Sequence, residues 1–352
     1  MSDKSLISLD GAGDVIVKLL DLLEKSVGWV FTPHGRKQDL EEGLAIYKKS
    51  IEEDSSLSGA QKGVLIYRAR KDFKEYANCS NIISFAASRL KNNAKLNVDE
   101  DWLTYFFDYA KNISDNAVQQ MWGRILAEQL NGDTSIHRHL IHILSLMDYK
   151  TADAFANLCS LTINYPERNV KVSMGSRAFP SNIPFVIGRA FAGLYCAYPE
   201  NTPQHDWGAS YLSHIPSPDE LSSLQEIGLI EYSETEGACY SFPYSAGLVE
   251  QDYSGINNSY VKTHVRNFVI KYDGKSYLIK PNNDSAVLMG KTFSDKDKVI
   301  SLPEKLMTGL IKFTTVGDKL YQLIDHHPID GLIPMYKLWL ESQNLVIEET
   351  EI

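Results

Sequence analysis

The chain has 352 residues, of which 43% are apolar and 23% charged, and its formal net charge is −10. That length suggests about two domains of roughly 150 residues each, and the composition excludes a disordered or collagen-like chain. The negative balance argues against general nucleic-acid binding, although a local basic patch would survive it.

Charge and proline divide the chain. Residues 1–200 carry 23 basic and 24 acidic side chains, whereas 201–352 carry 12 and 21. Eight of the thirteen prolines fall between 166 and 245, where long helices cannot run uninterrupted. The predicted fold class is therefore α+β: an all-helical bundle over 1–163, a Pro-rich connecting region over 164–216, and a mixed α/β, winged-helix-like domain over 217–352.

From Asp14 to Val30, apolar residues recur at Ile16, Leu19, Leu20, Leu23 and Val27 with a charged stripe opposite. This is an amphipathic helix, expected to end at Thr32-Pro33. Its polar face is mixed in sign, so a packing helix fits better than a membrane-surface one. A second helix is predicted over 39–53 and a third from Ala60 towards Leu90. The third holds Lys62, Arg68, Arg70, Lys71 and Lys74, but Asp72 and Glu75 interrupt them, and they read as a solvated face.

Residues 97–158 are the best specified. Asp99, Glu100 and Asp101 open a helix whose face carries Trp102, Phe106 and Tyr109. Ser114 is expected to cap the next, with Val118, Met121, Trp122, Ile125 and Leu126 inward and Gly132 at its end. Ser135 is expected to cap a third, and a fourth carries Ala152, Phe155, Leu158 and Cys159. Short connections make neighbouring helices antiparallel, and Trp102, Phe106, Trp122, Ile125 and Leu126 are the expected structural core.

In the second half, a short helix over 219–227 leads through Gly228 to a strand ending at Tyr232. Leu310 to Phe313 reads as a strand, and Thr314 to Gly317 opens another helix. Both units suit a winged-helix or similar small α/β domain. Between them Asp273-Gly274 joins two strand-like runs, a strong signal for a type I′ β-hairpin. A final helix over 331–343 and a strand over 345–348 close the chain.

Candidate chemistry is sparse. His139 and His142, three apart on one helix beside His137, are the candidate metal pair, but no local carboxylate or cysteine has ligand spacing. Lys262, Arg266, Lys271, Lys275 and Lys280 along the hairpin are the candidate nucleic-acid contacts, against the plainer reading of lysines on a solvated sheet edge. Arg124 and Glu128 read as an i,i+4 ion pair. Gly11-Ala12-Gly13 lacks the third glycine of a dinucleotide turn, and Met289-Gly-Lys-Thr292 lacks the first glycine of a P-loop. Four cysteines (Cys79, Cys159, Cys196, Cys239) have neither zinc nor redox spacing. With no signal-peptide pattern and no apolar run of about eighteen residues, a cytoplasmic protein without a membrane span is expected. No catalytic residue and no cofactor is predicted.

Asp99-Glu-Asp-Trp102, Phe106-Phe107, Ile113-Ser-Asp115 and Gln119-Gln-Met-Trp-Gly-Arg-Ile-Leu-Ala127-Glu128 together resemble a bacterial family, domain of unknown function 2806. The resemblance is best over 97–160. Ile227-Gly-Leu-Ile230 and Thr315-x-Gly317-x-x-Leu320 are similar to its distal half, while the turn Asn131-Gly-Asp-Thr-Ser135 departs from its pattern. The family supplies no agreed chemistry. What the resemblance implies is a setting in bacterial defence or mobile elements.

These readings converge on a non-enzymatic interaction or regulatory protein, a sensor or effector in anti-phage defence, with a protein partner or self-association expected. The alternatives are a nucleic-acid-binding regulator using the 262–280 hairpin and an enzyme with an inter-domain site lacking a recognisable motif. A membrane-active effector working through residues 14–31 is the weakest of the set.

Overall fold

A computed structural model describes residues 13–28, 37–92, 94, 96, 98–132, 136–165, 182–186, 207–233, 238–241, 268–281, 305–342 and 345–351. The chain is mixed α+β, with helices mostly in the N-terminal part and small antiparallel sheets after them. It divides into two compact units, Met1–Ala152 with Gln322–Ile324, and Asp153–Tyr321 with Asp325–Ile352.

The first unit holds α1 (Gly13–Val27), α2 (Lys37–Glu53), α3 (Gly59–Ala87), α4 (Glu100–Ala110), α5 (Asn116–Asn131) and α6 (Arg138–Ser145). The apolar stripe of α1 is buried, with Leu19 and Leu23 fully so, and α1 packs on α4. That stripe is occupied by the protein's own core rather than left for a membrane. The helix ends at Val27 because Gly28 turns left-handed (φ 75°), its N–H reaching the Glu24 carbonyl at 3.0 Å. Thr32 and Pro33, the expected stop, lie outside the described residues. A second difference is at α5, which Asp115 caps rather than Ser114. Its carboxylate accepts from the Ala117 and Val118 amides, while the Ser114 hydroxyl accepts from Asn78. Ser135 lies outside the described residues, and His137 occupies the N-cap of α6 without a side-chain hydrogen bond.

The core of this unit is aromatic. Trp102 stacks on Phe106 at 5.2 Å, and Phe106 meets the edge of Trp122 at 5.0 Å. The Trp102 indole donates to the Ile136 carbonyl at 2.7 Å, fixing the entry to α6. Ile125 and Leu126 are fully buried beside them. α3 and α5 approach so closely that a Cβ on Gly123 would lie 2.4 Å from Phe85 Cβ and 2.9 Å from the Ile82 carbonyl oxygen. Asn78 and Gln119 are paired at this contact: the Gln119 amide donates to Asn78 Oδ1 (3.2 Å) and to the Ile113 carbonyl (2.7 Å), and Asn78 donates to the Lys111 carbonyl. α3 is thereby tied to the α4–α5 connection through the interior.

The helix α7 (Tyr149–Ser160) leads into β1 (Thr162–Asn164), β2 (Asn182–Pro184), α8 (Trp207–Ser213), α9 (Pro218–Glu226), β3 (Ile230–Tyr232) and β4 (Ala238–Ser241). There follow β5 (Phe268–Tyr272), β6 (Lys275–Pro281), β7 (Lys305–Gly309), β8 (Ile311–Phe313), α10 (Thr315–Leu323), α11 (Leu332–Glu341) and β9 (Leu345–Thr350). Five strands form an antiparallel sheet in the order β2-β1-β5-β6-β9, and β3–β8 and β4–β7 form two-stranded pairs. The β5–β6 turn has Asp273 at φ 50° and Gly274 at φ 68°, as a type I′ hairpin requires. Phe185, Tyr211, Tyr336 and Trp339 form the aromatic core of this unit. The Tyr165 and Tyr336 hydroxyls meet at 3.0 Å, and Tyr272 donates to the Ser160 carbonyl while accepting from the Ile329 amide.

Two short segments far apart in sequence meet here. Ile227 to Ile230 enters β3, and Thr314 to Gly317 follows β8, its pairing partner. The Thr314 amide donates to the Leu229 carbonyl (3.0 Å) and its hydroxyl to the Gly228 carbonyl (2.6 Å). Thr314 Oγ1 in turn accepts from the Gly317 amide at 3.1 Å, capping α10. A Cβ on Gly317 would fall 1.9 Å from the Leu229 carbonyl oxygen, so only glycine allows this approach.

Candidate interaction surface

Residues 37–87 form an antiparallel helical hairpin whose sequence closes it tightly. The Asp54 carboxylate accepts from the Ser56 amide and hydroxyl, and these bonds hold it below the usual carboxylate range. Ser58 then caps α3 in a reciprocal box with Gln61, and Lys62 reaches back to the Glu52 carbonyl at 2.7 Å. The hairpin is well formed, but it is poorly covered. Of residues 38–77, only Ile51 and Ala69 are buried.

What it leaves in solvent is apolar. Ile46 is 71% exposed and Tyr67 68%, with Tyr47 and Val64 about half exposed. Between the helices runs a groove of about 590 Å³. Gly43, Ser50 and Ala69 line it with small side chains, because α2 and α3 close on each other at Gly43, whose Cβ would touch Phe73 at 3.5 Å. Ile46, Tyr47 and Leu65 stand along the same groove with Arg68 and Asp72. Neither Arg68 nor Asp72 has a side-chain partner among the described residues. A groove with small residues inside, large apolar residues beside them and uncommitted charges at hand can receive the side chains of another helix. It offers no nucleophile or acid–base pair.

The residues singled out from sequence are dispersed. Lys262 and Arg266 lie outside the described residues. Lys271 and Lys275 are exposed, but the register pairs Lys271 with Ser276 and Lys275 with Tyr272, which sets the two lysines on opposite faces of the sheet. Lys275 is engaged with Glu349 at 3.2 Å, a pair that raises its pKa. Lys280 sits on β6 opposite Val346. The hairpin is also interior to its sheet, between β1 and β9, and not the edge that the sequence suggested. Its neighbour β9 carries Glu348 and Glu349.

His139 and His142 are exposed on α6, with the His142 ring 6.2 Å from Tyr109. Among the described residues no group of three or more His, Cys, Asp or Glu side chains is placed to hold a metal ion. Arg124 has its pKa lowered to about 10, first by burial and then by the charge of Arg89, with Glu128 opposing both. No helix among the described residues is long and apolar enough to cross a membrane.

Residues 65–181 match the family described as protein of unknown function DUF2806. No curated protein and no solved structure matches the chain. The DUF2806 segment begins inside α3 and extends past β1, so it contains Trp102, Trp122, Gly123 and the Asn78–Gln119 network. It omits α2 and therefore one wall of the groove. Sequence reading predicted both helices and took the basic residues of α3 as a solvated face, without singling out any face of α2. The signal that distinguishes them, Ile46 and Tyr47 beside Lys48 and Lys49, is short and looks like half of a core stripe.

Proposed function

We propose that this chain acts by binding, as an interaction or regulatory protein, and that the α2–α3 hairpin is its docking surface. The observation that carries this is the exposure of Ile46 and Tyr47 along a groove with no covering element among the described residues. Among the described residues, four of the eight large apolar side chains left in solvent belong to this one hairpin, and clustering of that kind is how interaction sites differ from scattered surface residues. The sheet hairpin has weaker support, since Lys271 and Lys275 diverge and acids neighbour them. We take the helical region 1–163 as a bundle, 164–216 as a connector and 217–352 as winged-helix-like. The pairing of β3 with β8, each beside a short helix, supports the last. A cytoplasmic role as sensor or effector in anti-phage defence is the setting that the DUF2806 resemblance favours.

The test is site-directed photocrosslinking in cells. A benzophenone side chain at Ile46 should give a discrete protein adduct, and one at Leu212, exposed on α8, should not. The absence of any adduct from Ile46 and from Val64 would refute the docking role.

A further inference from the structure

The turn that ends α5 holds a chemically reactive pair. Asn131–Gly132 is the one Asn-Gly step in the chain. Asparagine is a thermolabile side chain, and it is most labile before glycine, where no Cβ shields the following amide nitrogen. That nitrogen can attack the side-chain carbonyl carbon. A bond forms between Gly132 N and Asn131 Cγ, the Cγ–Nδ2 bond breaks, and ammonia leaves with the amide proton. Water then opens the cyclic imide at either carbonyl, giving aspartate or isoaspartate at position 131. Water is the only co-reactant, and nothing is oxidised or reduced.

In the folded chain the groups that would react are already engaged. Asn131 is the last residue of α5 and only 5% exposed. Its Oδ1 accepts from the Lys91 amide at 2.9 Å and its Nδ2 donates to the Arg89 carbonyl at 3.4 Å, both just past the end of α3. The Gly132 amide donates to the Gln129 carbonyl at 3.2 Å, with Gly132 left-handed at φ 74°. The Leu96 amide adds a bond to the Leu130 carbonyl at 3.1 Å. Cyclisation requires the Asn131 side chain to leave both its partners and the Gly132 amide to leave Gln129.

We infer that Asn131–Gly132 is a deamidation site gated by the fold. It is closed while the ends of α3 and α5 are joined, reacts when they part, and once reacted keeps them from rejoining. The product gives the step its one-way character. A carboxylate at position 131 cannot donate to the Arg89 carbonyl, and it puts a negative charge at the negative end of the α5 dipole. Isoaspartate does more, since it carries the main chain through the former side chain and lengthens it by one carbon. The site therefore records how much time the α3–α5 contact has spent open.

The experiment incubates the full chain in mildly alkaline buffer and follows the peptide containing Asn131 by mass spectrometry, with aspartyl and isoaspartyl forms separated by chromatography. The urea-unfolded chain should deamidate at Asn131, and the folded chain should keep it intact over the same time. Gly123→Ala crowds Phe85 and the Ile82 carbonyl and so loosens α3 from α5. In the folded state it should speed the reaction by about 5- to 30-fold, the shift in opening that such a loss of contact produces. Should that variant not fold, wild type in sub-denaturing urea makes the same comparison: its rate should rise as the amides at the end of α5 lose exchange protection. A folded wild type that reacts as fast as the unfolded chain, or an unfolded chain that leaves Asn131 intact, would overturn the inference. So would a rate indifferent to the loosening of α3 from α5, or a purified deamidated chain in which the ends of α3 and α5 keep native protection.

Discussion

Replacing Gly317 by alanine should destabilise the second unit far more than its size suggests. The added carbon would sit 1.9 Å from the Leu229 carbonyl oxygen and 3.0 Å from its carbon, where roughly 3.5 Å is comfortable, and both are backbone atoms with no rotamer to change. α10 must therefore draw back from β3. Doing so loosens the Thr314 amide bond to Leu229 and the Thr314 hydroxyl bond to Gly228, each worth about 1 kcal/mol. Overpacking adds about 1–3 kcal/mol, and the better helix propensity of alanine returns up to about 1 kcal/mol. The expected net loss is about 2–4 kcal/mol. Urea unfolding measures it, and amide exchange locates it: peptides spanning β3, β8 and α10 should lose protection while those of α3 and α5 keep theirs. Gly63→Ala is the control, since nothing lies within 4 Å of its Cβ position, and it should stabilise α3 by about 0.5–1 kcal/mol. A Gly317→Ala protein with an unchanged midpoint would refute the reasoning.

Four further outcomes are expected. Gly123→Ala should destabilise the first unit by about 1–3 kcal/mol, as Phe85 and the Ile82 carbonyl leave no room, with protection lost in α3 and α5 rather than in the sheet. Gln119→Leu should cost about 1–3 kcal/mol in urea unfolding, because the Ile113 carbonyl and Asn78 lose a buried donor. Burial pushes the pKa of Tyr272 and of Tyr321 up to about 12, so the fold holds the neutral phenol; their contribution is complete below about pH 10 and drains away as pH rises towards 12. Unfolding midpoints followed with tyrosinate absorbance should show that loss, and constant stability over this window would contradict it. Burial also raises the thiol pKa of Cys79 and Cys159, which are fully enclosed. Their peptides should resist iodoacetamide in the native state and react only in denaturant.

The alternation of apolar and charged residues determined that α1, α4 and α5 exist and which faces they bury, since a 3.6-residue period is a local property that survives in any packing arrangement. Asp273-Gly274 determined its hairpin for a similar reason, positive φ at two successive positions being a demand on the residues themselves. Helix termini were less legible. Gly28 ended α1 ahead of the proline, and Asp115 took the cap from its neighbour Ser114, because either residue could serve and only the path of the chain chose between them. The partners of long-range contacts could not be read along the chain at all. Gly317 looked like a helix-entry glycine until Leu229, far away in sequence, was found against it. Gln119 stands in the sequence only as part of the resembling segment, and nothing along the chain points to Asn78 and Ile113 as its partners. Lys271 and Lys275 looked like one basic patch until the pairing register put them on opposite faces. The helical hairpin carries the same lesson for function. Ile46 and Val64 are apolar positions whose burial the sequence alone does not decide, and only the tertiary structure shows that the described residues do not cover them. Hydrophobic periodicity states that a face needs a partner, but the identity of the partner depends on what the rest of the fold brings to it.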